Sequence, residues 1–162
     1  MARLLISLRA SPDAETPRGL QPMHFAAAEG HAPVVQELVQ LRARPWASNN
    51  NGRQSMHLAT LSGHAPVVRM LVKLRASIDA PDQAGDRPMH LAAFTGIAGL
   101  VDTLARLGGG LSTINAHGLQ PVHAATHAGH ASIVELLNRL HPAHAAASCW
   151  PCSDCAAVGK SA

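Results

Sequence analysis

The amino-acid sequence predicts an all-α fold in which short helices stack as a linear array of repeats, a solenoid. Two glycines, one histidine and two short apolar segments return together every 33 residues, with no insertion. A fixed period of this length indicates stacked supersecondary units, because a single unit cannot bury its own apolar face. The recurring positions are Gly19, Gly52, Gly85 and Gly118; His24, His57, His90 and His123; and Gly30, Gly63, Gly96 and Gly129.

Each period begins with a glycine turn that leads into a first short helix. Pro22, Pro88 and Pro121 stand where this helix begins, and Ser55 replaces proline in the second period. Proline suits the first helical turn because its missing N–H would have no intrahelical partner there. We expect the first helix over 22–29 and the corresponding residues. The second recurring glycine then ends it, since glycine enters the left-handed region at little cost.

A second helix is predicted to begin near Ala32 and its equivalents. Its apolar residues Val35, Leu38, Val39 and Leu41 are spaced so that they share one helical face. Neither helix could bury such a stripe alone. Stacking of neighbouring units about 8–10 Å apart would bury it continuously.

The repeated segments resemble ankyrin repeats, which have a 33-residue period, a turn plus two helices per unit, and a T-P-L-H-x-A signature. The signature occurs here as Gln21-Pro22-Met23-His24, Gln54-Ser55-Met56-His57, Arg87-Pro88-Met89-His90 and Gln120-Pro121-Val122-His123. The resemblance implies an ankyrin-type solenoid of paired antiparallel helices with repeats at about 18–50, 51–83, 84–116 and 117–141. A half repeat over 1–17, consisting of a second helix only, would precede them. Residues 142–162 are expected to form a disordered tail.

The chain departs from the family pattern at both helix ends. The threonine of the signature, with its capping hydroxyl, is replaced by glutamine or arginine in every unit. Arg42 and Arg75 replace the glycine that follows the second helix. If those residues keep a positive φ, each substitution costs about 1 kcal/mol. Gly99 inside a second helix and the three glycines 108–110 predict that the array is least stable around 96–110.

Composition excludes several functional classes. The 162-residue chain is 47% hydrophobic and 2% aromatic, and its formal net charge is +3. Because the basic residues are dispersed rather than clustered, we expect no nucleic-acid interface. No apolar segment approaches the roughly 20 residues of a membrane span. The three cysteines are Cys149, Cys152 and Cys155, so the array needs no disulfide, which fits a reducing compartment such as the cytoplasm or the nucleus.

The recurring histidines are predicted to be structural. Equivalent side chains on stacked units lie about 8–10 Å apart, whereas zinc ligands lie about 2 Å from the metal. In the family, these histidines hold the turn through hydrogen bonds to the backbone. No set of residues suited to nucleophilic or acid–base catalysis stands out, so we expect no enzymatic activity, cofactor or metal in the array.

Two alternative functions remain open. The chain could be the substrate-recruiting segment of a larger enzyme or adaptor. It could also bind a metal ion through the three tail cysteines, with His141 or His144 as a further ligand. The arginines Arg9, Arg42 and Arg75 form a solvated edge or, alternatively, a docking strip for an acidic partner.

The resemblance implies binding of a protein partner by a monomeric chain, through a concave surface of turn tips and first helices. The residues predicted to contact the partner are Asn50, Asn51, Arg53, Leu61, Ser62, Gln83, Asp86, Phe94, Thr95, His117, Leu119 and His127, together with Glu29. These positions differ between units while their neighbours do not. Leu61 and Phe94 are predicted to form an apolar anchor, with Arg53, Asp86 and His127 around it.

Overall fold

The computed structural model describes residues 11–140 of the chain. The helix of the predicted half repeat and the tail 142–162 with its cysteines therefore lie outside the described residues, as do Arg9, His141 and His144. Within 11–140 there are eight helices and no strand. They are α1 (Pro22–Ala28), α2 (Ala32–Gln40), α3 (Ser55–Leu61), α4 (Ala65–Lys73), α5 (Pro88–Thr95), α6 (Ala98–Arg106), α7 (Pro121–His127) and α8 (Ala131–Leu140). The all-α prediction is confirmed.

The helices form two stacked rows. The first helices α1, α3, α5 and α7 pack in chain order, and the second helices α2, α4, α6 and α8 pack in the same order. Each first helix also packs against the second helix that follows it. The constant sequence period therefore becomes a repeated packing unit, as predicted for a solenoid.

A continuous apolar core lies between the two rows of helices. Methionines of the first three units, Met23, Met56 and Met89, are at most 1% exposed, and small alanines allow close approach of the first helices. The second helices contribute Val35, Leu38, Val67, Val68, Leu71, Leu100, Val101, Leu104, Ile133 and Leu137. Because each unit buries its stripe against the next unit, the core extends along the array rather than forming a single centre.

The first helices begin without a capping hydroxyl, as the sequence predicts. The residue before each of them, Gln21 in the first unit, is extended and makes no side-chain cap hydrogen bond. Instead, the recurring histidine accepts a hydrogen bond from the N–H of that residue through Nδ1, at N···N distances of 3.0, 3.0, 3.3 and 3.0 Å along the chain. The imidazole thereby satisfies one of the backbone donors at the helix start.

The ends of both kinds of helix are left-handed, as predicted for the glycines after the first helices. The glycines after the first helices have φ between 76° and 80°. Arg42 and Arg75, after the second helices, have φ of 67° and 66°, and Gly108 has φ of 89° at the equivalent position. The two arginines therefore occupy sites where glycine is favoured.

The connection between the third and fourth units is bonded to the second unit. Gly110 donates its N–H to Oδ1 of Asp79 at 2.9 Å. A side chain on Gly99 in α6 would meet nothing within 4 Å, so this glycine faces open space. Low stability over 96–110 stays a prediction.

Candidate protein-interaction face

Each turn that precedes a first helix is built around one polar side chain. Oδ1 of Asn49 accepts hydrogen bonds from the N–H groups of Asn51 and Arg53, at 2.9 and 3.0 Å. Asp82 and Asn115 make the same pair of bonds in the next two turns. These side chains preorganise the loops. They return every 33 residues, so the signal for this structural position was present in the sequence, although we did not predict it.

Neighbouring turns are joined by backbone hydrogen bonds. Asn50 donates to the carbonyl of Arg18 at 3.1 Å, Gln83 to that of Asn51 at 3.1 Å, and Ala116 to that of Ala84 at 3.0 Å. The side-chain amides of Asn50 and Gln83 add bonds to the carbonyls of Pro17 and Asn50. The turn tips therefore form a connected row rather than independent loops.

Two further residues predicted to bind a partner, Arg53 and Asp86, also make side-chain contacts inside the array. Nε of Arg53 donates to Oδ2 of Asp82 at 3.1 Å, and Nδ2 of Asn115 donates to Oδ1 of Asp86 at 2.8 Å. In both cases a residue late in one turn meets the central polar residue of the next. The basic residue Arg53 contacts an acid in the next turn, whereas the acidic residue Asp86 contacts an amide. The residue types at the two contacting positions therefore change together from unit to unit. Their role in partner binding stays a prediction.

The predicted contact residues differ in exposure. Phe94 is 51% exposed and Leu119 is 43% exposed, while Leu61 of the predicted anchor is half-buried. The exposed residues are Glu29, Asn50, Asn51, Ser62, Gln83, Phe94, His117, Leu119 and His127, and the half-buried ones are Arg53, Leu61, Asp86 and Thr95. An apolar surface with polar neighbours is therefore present on the side of the turns and first helices.

A shallow groove lies where the first two turns meet helix α3. Its lining residues are Arg18, Leu20, Asn49, Asn50, Asn51, Arg53 and Leu58. Asn50, Asn51 and Arg53 were predicted as contact residues; the other four were not. The signal for Arg18 and Leu20 was available, because they occupy in the first turn the positions that Asn51 and Arg53 occupy in the second.

Several other exposed apolar side chains were not among the predicted contact residues. Phe25 on α1 is 50% exposed and occupies the same repeat position as Leu58. Trp46 and Ile114, in the connections that precede turns, are 56% and 60% exposed. Phe25 is therefore the counterpart, in the first unit, of the Leu58 that lines the groove in the second unit.

In the first three units, the recurring histidine connects the first helix to the following turn. Nε2 of His24 donates to the carbonyls of Ala47 and Arg53, at 3.1 and 3.2 Å. His57 donates to Ala80 at 2.9 Å, and His90 donates to Leu119 at 3.0 Å. Since Nδ1 accepts a backbone N–H, the proton of the neutral ring is on Nε2. The family-implied role of holding the turn by backbone hydrogen bonds is confirmed.

Burial lowers the pKa of His24, His57 and His90 from the ordinary value of 6.5. The charged imidazolium would be poorly solvated there, although backbone carbonyls and nearby carboxylates act in the opposite direction. A second proton would also displace the N–H that each Nδ1 accepts. These rings therefore serve as neutral structural links and have no free nitrogen for a metal ion.

A second set of histidines joins adjacent units beside the glycines that end the first helices. Nε2 of His64 donates to the carbonyl of Ala28, and Nε2 of His130 donates to that of Phe94, both at 3.0 Å. The ring of His64 packs against Gly30 so closely that a Cβ there would lie 2.7 Å from its Nδ1. Ile97 replaces this histidine in the third unit.

Over residues 11–140, no three histidine, cysteine or acidic side chains are grouped so that they could hold a metal ion. In the same range, no helix has the length and apolarity needed to cross a bilayer.

Comparison with protein families supports the fold. The family described as ankyrin repeats (3 copies) matches residues 1–82, about half of the chain. No curated protein matches the sequence. Ankyrin repeats are generally protein–protein interaction modules. With the matched segment, the 33-residue period and the stacked helix pairs all in agreement, the chain belongs to the ankyrin repeat family.

Proposed function

We propose that this chain is a non-enzymatic protein–protein interaction module that presents its turn tips and first helices to a protein partner. We call this surface the recognition face and define it by the partner-contact residues predicted from the sequence. The observation that carries the proposal is the exposure of large apolar side chains there, notably Phe94 at 51%. Apolar side chains surrounded by polar ones are the usual composition of a protein interface centre and its rim.

The rigidity of the turns favours binding. The turns are cross-linked by backbone bonds from Asn50, Gln83 and Ala116, and the histidines tie them to the first helices. A surface that is already ordered loses less conformational entropy when a partner binds. Four units could supply a standard interface of about 800 Å² per partner.

The proposed setting is a monomer in the cytoplasm, with the nucleus as the alternative. No cysteine occurs before Cys149, so the array depends on no disulfide and is compatible with reducing conditions.

The recognition face is tested by a double substitution, Leu61→Arg with Phe94→Arg, in the full chain. The matched control is Gln36→Arg with Gln40→Arg, which adds the same charge to exposed positions of helix α2. These control positions correspond to Arg69 and Lys73 in the next unit. The fold therefore accommodates a long basic side chain at both positions.

Affinity capture with quantitative mass spectrometry identifies partners of the wild-type chain, and titration with the purified partner then measures Kd. We expect the face variant to weaken binding at least tenfold and the control variant to change it less than twofold, with both retaining the wild-type circular dichroism spectrum. Unchanged partner affinity in a folded face variant would refute the recognition face.

A further inference from the structure

The groove at the first two turns combines hydrogen-bond donors with an apolar floor and contains no acidic side chain. Its lining comprises two arginines, three asparagines and two leucines. The following inference rests on the proposed function and concerns which chemical feature of a protein partner this groove would take.

The donors of the groove are only partly used within the chain. Arg18 is exposed, and its guanidinium makes no ion pair or hydrogen bond within residues 11–140. Arg53 uses Nε for its bond to Asp82, which leaves its terminal nitrogens available. Oδ1 of Asn49 accepts two backbone N–H groups, which leaves its Nδ2 as a donor at the groove that Asn49 lines. These groups favour an acceptor with negative charge.

The floor of the groove favours an aliphatic side chain. Leu20 and Leu58 are both half-buried and line the groove beside Arg18 and Arg53. Burial of a leucine-sized side chain against them would add a hydrophobic contribution. No aromatic ring lines the groove, so the base stacking that supports binding of single-stranded nucleic acid is missing.

We propose that the groove binds an extended protein segment that carries an aspartate or glutamate two residues from a leucine-like side chain. In an extended segment, side chains two residues apart lie on the same face, so both can enter the groove. The carboxylate pairs with Arg18, assisted by Asn49 and the free nitrogens of Arg53, and the aliphatic side chain rests on Leu20 and Leu58.

The probe is a blocked pentapeptide, Gly-Leu-Ser-Asp-Gly, compared with the same peptide containing asparagine in place of aspartate. Chemical shifts of the backbone amides of Leu20, Asn51 and Leu58 are followed by NMR in the full chain. We expect saturable shifts with the aspartate peptide and a Kd about fivefold higher with the asparagine peptide, because a charge-assisted bond is lost. Higher salt should reduce this difference.

Arg18→Gln should raise the Kd of the aspartate peptide about fivefold and leave that of the asparagine peptide unchanged. Arg69→Gln, at an exposed site on α4, is the matched control and should change neither. Equal affinities for the two peptides, no effect of Arg18→Gln, or tighter binding of a ten-residue oligothymidine would each overturn the inference. If partner capture still depends on Leu61 and Phe94 in that case, the proposed function stands while this inference fails.

Discussion

One imidazole performs two structural tasks in each of the first three units. In the first three units, Nδ1 accepts the N–H at the start of the first helix, and Nε2 donates to a carbonyl of the following turn. Only a neutral ring with its proton on Nε2 can do both. The side chains of His24, His57 and His90 are at most 1% exposed, so burial also disfavours the charged form.

Acid is expected to destabilise the array through these histidines. Their pKa values are lowered in the folded chain by burial, so the unfolded chain binds more protons below its ordinary histidine pKa of 6.5. Their contribution to the free energy of unfolding is therefore present above pH 6.5 and is lost as the pH falls toward the lowered values. Urea denaturation between about pH 7 and pH 5 should show a steadily decreasing free energy of unfolding.

Two substitutions separate this effect from general acid sensitivity. His57→Gln removes one buried titrating ring and should flatten the dependence of the free energy of unfolding on pH. His127→Gln, which replaces an exposed histidine on the recognition face, is the matched control for the loss of an imidazole. Identical slopes for wild type and His57→Gln would show that buried histidine is not the cause.

The ends of the second helices are conformationally strained in the first two units. Arg42 and Arg75 have a positive φ, and the following residues, Ala43 and Ala76, donate N–H groups back to Leu38 and Leu71 at 2.9 and 3.0 Å. This pattern caps the helix carbonyls and requires the left-handed residue. A basic side chain near the helix C-terminus interacts favourably with the dipole, by a few tenths of a kcal/mol, which only partly offsets the strain.

Replacement of arginine by glycine at this position is therefore expected to stabilise the chain. Arg75→Gly should raise the free energy of unfolding by about 0.5–1 kcal/mol, because strain at positive φ is relieved. The reciprocal change Gly108→Arg should lower it by a similar amount, since Gly108 has φ of 89° and its Cβ position is open. Chemical denaturation of both variants tests this, and a destabilised Arg75→Gly would contradict it.

Stability along the array depends on contacts between successive units. His64 donates to the carbonyl of Ala28 and His130 donates to that of Phe94, and both bonds join a unit to its immediate neighbour. The Arg53–Asp82 pair joins two successive turns. The side chain of Asp82 is 3% exposed, and its Oδ1 also accepts two turn N–H groups. Coupling in such an array is between nearest neighbours, so the same bonds that hold the recognition face also hold the stack.

The Arg53–Asp82 pair should contribute measurable coupling between two successive turns, 49–53 and 82–86. Asp82→Asn keeps the turn bonds, as Asn49 and Asn115 do at equivalent positions, and removes the charge. A double-mutant cycle with Arg53→Gln should give a coupling energy of about 1 kcal/mol, because one partner is buried. The control cycle uses Asp102→Asn and Arg106→Gln, a pair 2.8 Å apart with side chains 39% and 78% exposed.

The control pair should show no more than about 0.3–0.5 kcal/mol, since exposed pairs within one helix are weak. Urea denaturation of the single and double variants provides both cycles. Equal coupling energies for the two pairs would indicate that burial of Asp82 does not strengthen its interaction with Arg53.

Much of the fold could be predicted from the period of the sequence. Recurring glycines and apolar stripes predicted the turns, the helix pairs and the left-handed glycines that end the first helices, because these features depend on local backbone chemistry. The positive φ of Arg42 and Arg75 was a condition taken from the family pattern, and the structure shows it. The structural role of the histidines followed from the family resemblance. The exposed Phe94 and the residues of the second turn were named as candidate contacts on the same basis.

The groove and the pairing of turns depended on distant residues. Arg53 meets Asp82 across 29 positions, and Phe25 is 50% exposed although Leu91, at the same repeat position, is 5% exposed. A repeat pattern assigns the same backbone environment to equivalent positions, so periodicity alone was enough for the helices and their stacking order. Which side chains are covered, paired or left open to a partner is set by the neighbours that stacking brings into contact, and those differ from unit to unit.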